Sequence, residues 1–356
     1  MHRPRKRVLR AAAAVTALAL TAGLAGCGSD ADKGSGAGAK KSSDKPVRIA
    51  YLLATQAAGY PQGMLAAAKP TAEKLGATLQ VFDAQFDPGK QVSQCQDAVS
   101  SKKFDVIIAL PAASPPMSVC AKAAKAANIP LIATNTPVGS DLASGPPTVD
   151  GVVAQVLNPA ETSYGAEEGK GSHDLLVPMC KQVKGTCTIA YIQGVRALAL
   201  TAAADASIQK LVKDNGWKLA GSCEGGYQRQ GGLKCMQDLL QKNPNINALF
   251  SQSDDMANGA EQAMKAAGKT PGEDILIGTQ GASDKGIANI RSGQWFGSIL
   301  SLAEPEGRIP VELAVKVARG EKIPNYVDPN KATNAPEVLD QTNKDEYPEL
   351  KGQFKS

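Results

Sequence analysis

Groups able to act as nucleophile, base or metal ligand are sparse in this 356-residue chain, and their spacing limits the chemistry open to it. Two histidines occur, His2 and His173. That supply excludes zinc sites built on several histidines and most His-based catalytic triads. No G-x-S-x-G nucleophile elbow is present, and "GTQGASDKG" is rich in glycine without being G-x-G-x-x-G or a Walker loop. Asp340, Asn343 and Asp345 of "DQTNKDE" lack the central Gly and the bidentate Glu of a calcium loop, and read as a solvated acidic turn. The residue chemistry points to a chain that is not an enzyme and needs no metal or cofactor.

Seven cysteines remain, and Cys27 stands apart from the others. Before it runs "MHRPRKRVLR", with Arg3, Arg5, Lys6, Arg7 and Arg10 and no acid, then "AAAAVTALALTAGLAG". That apolar run is shorter than the roughly 20 residues a bilayer-spanning helix needs. A basic segment, a short apolar segment and small residues before a cut are the parts of a secretory signal peptide over 1–26. Leu24-Ala25-Gly26-Cys27 resembles the lipobox of bacterial lipoproteins, which implies acylation of Cys27 as the new N-terminus. The alternatives are an ordinary signal peptide with an incidental cysteine and an uncleaved anchor helix.

Losing the leader changes the charge. Without its five cations the 39 Lys and Arg fall to 34, equal to the 34 Asp and Glu. The basic balance therefore belongs to the leader, and nothing in the mature chain favours nucleic acid. Cys95, Cys120, Cys180, Cys187, Cys223 and Cys235 are an even number in an exported chain, which suggests disulfides. Many pairings are open; short loops favour Cys180–Cys187 and Cys223–Cys235, leaving Cys95–Cys120. Buried free thiols are the alternative, since cysteine also packs as a small hydrophobe.

The elements that must position any binding groups begin after a tether. Residues 27–46 hold Gly, Ser, Ala, Lys and Asp with no large apolar side chain, too little to bury for a fold. From Val47 onward, short apolar runs alternate with helical segments: "VRIAYLLA", "ATLQVFDA", "FDVIIALP" and "IPLIATN" are strand-like, with Ala- and Lys-rich helices between them. A second series follows "PPTVDGVVAQVL", with helices expected at 160–180, 200–214, 231–242 and 256–267 around "CTIAYIQG", "WKLAGSC", "INALFSQS" and "DILIGTQG". Such alternation indicates βαβ units and parallel sheets. About 310 residues exceed one typical core, so two doubly wound α/β lobes are expected. Trp217 and Trp295 open strands and read as core or edge residues, His173 as exposed.

The segments "VRIAYLLATQAAGYPQGMLAAAKPTAEKLGATLQVFDAQFDP", "DVIIALPA", "AANIPLIATNTP", "FSQSDDMANGAEQAMKAAGK", "DILIGTQGASDKGIANIRSGQWFGSI" and "ELAVKVARGEKIP" resemble, in order over about 47–325, the type I solute-binding proteins of bacterial ABC importers, near the ribose and galactose group. The resemblance implies lobes of 47–157 plus 303–325 and 158–302 plus 326–356, joined by a three-crossover hinge. It implies a small hydroxylated solute held between them and handed to a permease with its ATPase. It also implies a monomer on the outer face of the cell membrane. A sensor reporting ligand to a membrane kinase or chemoreceptor is the alternative function.

Ligands of open α/β sheets sit beyond the carboxyl ends of the strands, so the loops there supply the candidates. They are Gln56 and Tyr60 after the first strand and Asp83 after the second. Tyr60 is the match to aromatics with which sugar binders of the family stack on a ring, or else a packing residue of the next helix. By the resemblance, Asn135 stands where an Asp is usual and Thr136 where some members carry Arg. Ser253 and Asp254 fall in the family's polar loop, Gln280 replaces an Asp, and Ser301 is near a Gln or Asn position. Ala202 replaces a ligand-gripping Arg, for which Arg196 is the nearby substitute. The implied cleft is less charged than a ribose binder's and suits a neutral sugar, polyol or similar solute.

Overall fold

The computed structural model describes residues 45–159 and 171–356 of the chain. Cys27, the leader and nearly all of the tether fall outside the described residues, as does most of the helix expected over 160–180.

Strand β1 (Val47–Leu53) shows why the first series folds as it does. Ile49, Ala50, Tyr51, Leu52 and Leu53 are all fully buried, so both faces of the strand need a covering layer. Ile49, Tyr51 and Leu53 pack with Met64 and Ala68 of α1 (Gly59–Lys74) and with Val311 and Ala314 of α9 (Ala303–Ala318). Ala50 and Leu52 pack on the opposite face with Cys95 and Ala98 of α2 (Pro88–Ser100) and Met117 and Ala121 of α3 (Met117–Ala126). A side-chain period of two thus makes two cores from one strand. Full burial of each such Leu or Ile contributes about 1.5–3 kcal/mol.

The first sheet is completed by β2 (Ala77–Asp83), β3 (Val106–Ala109), β4 (Leu131–Thr134), β5 (Val152–Val156) and β11 (Tyr326–Val327), in the order β11-β5-β4-β3-β1-β2 and parallel throughout. Here the structure differs from the expected lobe boundary. Tyr326 and Val327 pair with Gln155 and Val156, so the third exchange between lobes follows Val327 instead of residue 325. The edge of β5 needed a partner, and two residues of extended chain meet that need.

The second lobe repeats the plan. Its helices are α4 (Ser172–Lys181), α5 (Ala199–Asp214), α6 (Arg229–Lys242), α7 (Asp254–Ala266) and α8 (Asp284–Ser292). Its strands are β6 (Thr188–Gln193), β7 (Lys218–Glu224), β8 (Ala248–Ser251), β9 (Leu276–Gln280), β10 (Gly297–Ile299) and β12 (Val338–Asp340). Their order is β12-β10-β9-β8-β6-β7, with only β12 antiparallel. A short helix, α10 (Pro329–Ala332), precedes β12 and is capped by the Asp328 side chain. Of the acidic turn expected to be solvated, Asp345 is 88% exposed, whereas Asp340 is buried and accepts from the Thr342 backbone and hydroxyl. Trp295 is fully buried and donates to Glu261 Oε1 at 2.6 Å, a core residue as expected.

Three disulfides link Cys95–Cys120, Cys180–Cys187 and Cys223–Cys235, the pairing that loop length favoured. Each lies within one lobe, so none restrains motion of one lobe against the other. Among the described residues no helix is long and apolar enough to cross a membrane.

Candidate functional site

Both sheets have a point where connections leave in opposite directions, between β1 and β3 in one lobe and between β6 and β8 in the other. The loops diverge there and leave a crevice beyond the strand ends. The two crevices face each other and form one cleft, with about 730 Å³ of empty space counting the part open to solvent.

On the first lobe, β1 ends in Ala54 and Thr55, and the Thr55 hydroxyl accepts from Ala57 N–H at 3.1 Å to turn the chain into α1. Tyr60, in the first turn of that helix, projects into the cleft. Its hydroxyl donates to Glu306 Oε2 at 2.6 Å and accepts from Asn135 Nδ2 at 3.3 Å. Glu306 is fully buried in the first turn of α9, directly after a crossing between lobes. A buried carboxylate must be hydrogen-bonded, and the bond here is charge-assisted. Tyr60 is therefore held by more than packing. Asn135 adopts a left-handed backbone, φ 61°, which Asn tolerates, and its Oδ1 accepts from the Thr136 hydroxyl at 3.3 Å. Gln91, also fully buried, braces the loop after β3: Nε2 donates to Leu110 O at 2.8 Å while Oε1 accepts from Ala112 N–H at 2.7 Å.

On the second lobe, Gln252 Oε1 accepts from Gly194 N–H at 2.8 Å and ties the loop after β8 to the loop after β6. Ser253 caps α7 by accepting from Met256 N–H at 3.2 Å. Gln280 and Ser301 line the cleft together, with Nε2 of the amide 3.4 Å from the hydroxyl. Of the residues proposed from the sequence, Tyr60, Asn135, Thr136, Ser253, Gln280 and Ser301 are thus brought to one surface.

Gln56, Asp83, Arg196 and Asp254 are not on that surface. Asp83 Oδ1 accepts from the backbone N–H groups of Gln56 and Gln85 and so organises a loop. Arg196 leaves its side chain 58% exposed, bonded to Gln193 Oε1 and 3.8 Å from Glu224. Asp254 points inward: it is 1% exposed, and its Oδ2 accepts from Ser283 N–H at 2.8 Å. Burial pushes its carboxyl up to about 6. The acid that lines the cleft is its neighbour, Asp255. Successive side chains on a helix diverge by about 100°, so one residue decides which carboxylate faces the ligand space. The Asp255 carboxyl is also raised by burial, opposed by Arg229 and by a bond from Gly59 N–H of the first lobe.

Sequence reasoning missed the apolar walls. Phe86, after β2, stacks on Tyr227, after β7, with ring centroids 6.0 Å apart and planes at 21°. The two occupy equivalent loops of the two lobes, and both take a left-handed backbone, φ 61° and 60°. Phe354, Leu198 and Leu200 add to the apolar lining. The only hint in the sequence was an aromatic residue shortly before each following helix, in "AQFDP" and "GGYQR". Among the described lining residues none is Lys or Arg.

Residues 49–322 match the family model of the periplasmic binding protein domain. The chain belongs to the periplasmic binding protein family. It is a binding protein, not an enzyme. Among its relatives is the ribose import binding protein RbsB of Escherichia coli, 29% identical over 261 residues, covering 72% of this chain and 79% of that protein. The galactofuranose-binding protein YtfQ of the same organism is 26% identical over 239 residues, 66% of this chain and 70% of that one. A solved structure from Mycobacterium smegmatis in complex with β-D-fucofuranose superposes with a TM-score of 0.72 at 23% identity, covering 85% of this chain and 93% of that one. The last likeness speaks to the fold, which is the type I arrangement of two parallel-sheet lobes.

Proposed function

We propose that the chain is a lipid-anchored receptor that binds a neutral sugar or polyol between its lobes and delivers it to an ABC permease and its ATPase. The carrying observation is the composition of the cleft: Tyr60, Phe86, Tyr227 and Phe354 beside the uncharged amides and hydroxyls of Asn135, Thr136, Gln252, Ser253, Gln280 and Ser301. Aromatic faces suit the C–H faces of a sugar ring, and amides can donate to and accept from its hydroxyls. Among the described lining residues one carboxylate, Asp255, can accept from a hydroxyl pair. Relatives named for ribose and galactofuranose support the ligand class.

A solute touching both lobes binds the closed arrangement better than the open one and shifts the population towards it. The closed form then presents a surface to the permease that the open form lacks. Cys27 would hold the receptor at the membrane by its acyl chains, with 28–46 as the tether; two or more chains make a stable anchor where one is marginal.

The test is a thermal-shift screen of residues 28–356 against sugars, polyols, nucleosides and amino acids. A ligand at about a thousand times its Kd adds roughly 4 kcal/mol of stability. At roughly 2–4 °C per kcal/mol the shift is easily read. A large shift with a neutral hydroxylated compound is expected. A shift confined to charged amino acids or to nucleosides would overturn the ligand class.

A further inference from the structure

The segment 352–356 crosses from one lobe to the other at the edge of the cleft. On the second lobe it pairs through the backbone: Gln353 N–H donates to Ala282 O at 2.7 Å, and Asp284 N–H donates to Phe354 O at 2.9 Å. The Ser356 hydroxyl donates to Ser283 Oγ at 2.8 Å and accepts from Asn258 Nδ2 at 3.0 Å, while Lys355 pairs with Asp284. On the first lobe the contact is packing into a trough. Gly59 and Gly63 lie one turn apart on α1, and a Cβ at Gly59 would stand 2.4 Å from Lys355 O. At Gly63 it would stand 2.8 Å from Phe354 Cβ and 3.1 Å from Gln353 O. The helix therefore lacks side chains at the two positions where the segment lies. Glu304 N–H adds one bond, to Gln353 Oε1 at 3.2 Å.

Phe354 is the residue this arrangement delivers. Its ring meets Tyr60 edge to face, centroids 5.8 Å apart and planes at 83°, and lines the cleft. We infer that 352–356 is an interlobe strap whose Phe354 forms one wall of the binding site and limits the size of the ligand. The strap is paired through its backbone with the second lobe and held on the first by packing and the single Glu304–Gln353 bond, so opening of the lobes slides Phe354 off Tyr60, and closure returns it against the ligand. The wall is apolar and fixed by backbone pairing, so it accepts a C–H surface and refuses an added substituent. This inference rests on the sugar or polyol reading for its ligand class; the strap stands on the contacts of 353–356 with both lobes.

The experiment uses Phe354→Ala and a second variant lacking 353–356, each with two readouts. In ligand-free protein, hydrogen exchange is followed by mass spectrometry over the peptides containing 59–64 and 282–285. Both variants should exchange faster at both places, because the strap covers both. Unchanged exchange at 59–64 in either variant would show that the strap does not seat on the first lobe. In calorimetry, D-ribose, D-galactose and myo-inositol are each titrated beside a mono-O-methyl derivative. Phe354→Ala should weaken the bound parent by about three- to tenfold, the range of an aromatic contact. It should also narrow the preference over the O-methyl form. Equal affinity and an unchanged preference would overturn the wall. If the unaltered protein bound none of the six compounds, the sugar reading would fail, and the exchange result alone would decide the strap. If the shortened variant does not fold, Phe354→Ala supplies both readouts.

Discussion

Asp254 was a ligand candidate in the sequence and is a buried bracing residue in the fold, and that placement has a measurable signature in pH. Its carboxyl, 1% exposed, sits near 6 because burial disfavours the charge more than the bond from Ser283 N–H stabilises it. In the unfolded chain an aspartate titrates at about 3.9. Below that value both states hold the proton and the residue contributes no pH dependence. Between about 4 and 6 the folded state keeps a proton that the unfolded state has lost, so raising the pH favours unfolding, by up to about 1.4 kcal/mol per unit. Above about 6 both are ionised and the folded state bears the whole desolvation cost. The gap of about two units corresponds to about 3 kcal/mol.

Asp254→Asn cannot ionise, yet its amide oxygen can still accept from Ser283 N–H. Urea unfolding of both proteins from pH 3.5 to 8 separates this group from every other titrating group through the difference curve. The unaltered protein should lose about 3 kcal/mol relative to the variant as pH rises through the window, then run parallel to it. Any constant offset from repacking leaves the slope intact. Parallel curves throughout, or a relative gain with rising pH, would refute the claim that Asp254 is ionised against its surroundings.

Tyr60→Phe removes the donor to the buried Glu306 carboxylate, and should lower stability by about 1.5–3 kcal/mol in urea unfolding; a loss near zero would mean the bond is not formed. A double-mutant cycle with Phe86→Ala and Tyr227→Ala should give a coupling of about 0.5–1.5 kcal/mol, whereas additive single effects would show that the stack across the cleft is absent. Replacing Cys95 and Cys120 together by Ser should cost about 3–4 kcal/mol, from the loop of 25 residues they close, as read by denaturant midpoint under non-reducing conditions; an unchanged midpoint would mean that the bond does not constrain the unfolded chain.

The two-lobe plan was legible because the apolar runs are short, regularly spaced and separated by helix-length segments, and a strand buried on both faces leaves no other arrangement. Short loops pointed to two of the disulfides, Cys180–Cys187 and Cys223–Cys235, and left Cys95–Cys120 as the third. The strand at 326–327 was not legible: two residues carry no periodicity, and their pairing depends on an open edge of β5 contributed from far away in the chain. Site residues divided along the same line. Tyr60, Asn135, Ser253 and Gln280 were found because the loops at the strand ends of an open sheet border the crevice, although Gln56, Asp83 and Arg196 of the same loops turn away from it. Asp254 and Asp255 were exchanged because a helix start separates adjacent side chains by a rotation that no spacing rule records. Arg196 looked like a substitute cation, but an exposed loop gave it Gln193 and Glu224 as partners.

By itself, then, the sequence determined the repeating strands and helices and the pool of polar groups at the strand ends, which depend on local pattern. The tertiary structure alone decided which of those groups share a surface, that Phe86 meets Tyr227, and that Phe354 returns from the far end of the chain to stand against Tyr60. Those contacts join residues hundreds of positions apart or on opposite lobes, and they exist only once two sheets have closed towards each other.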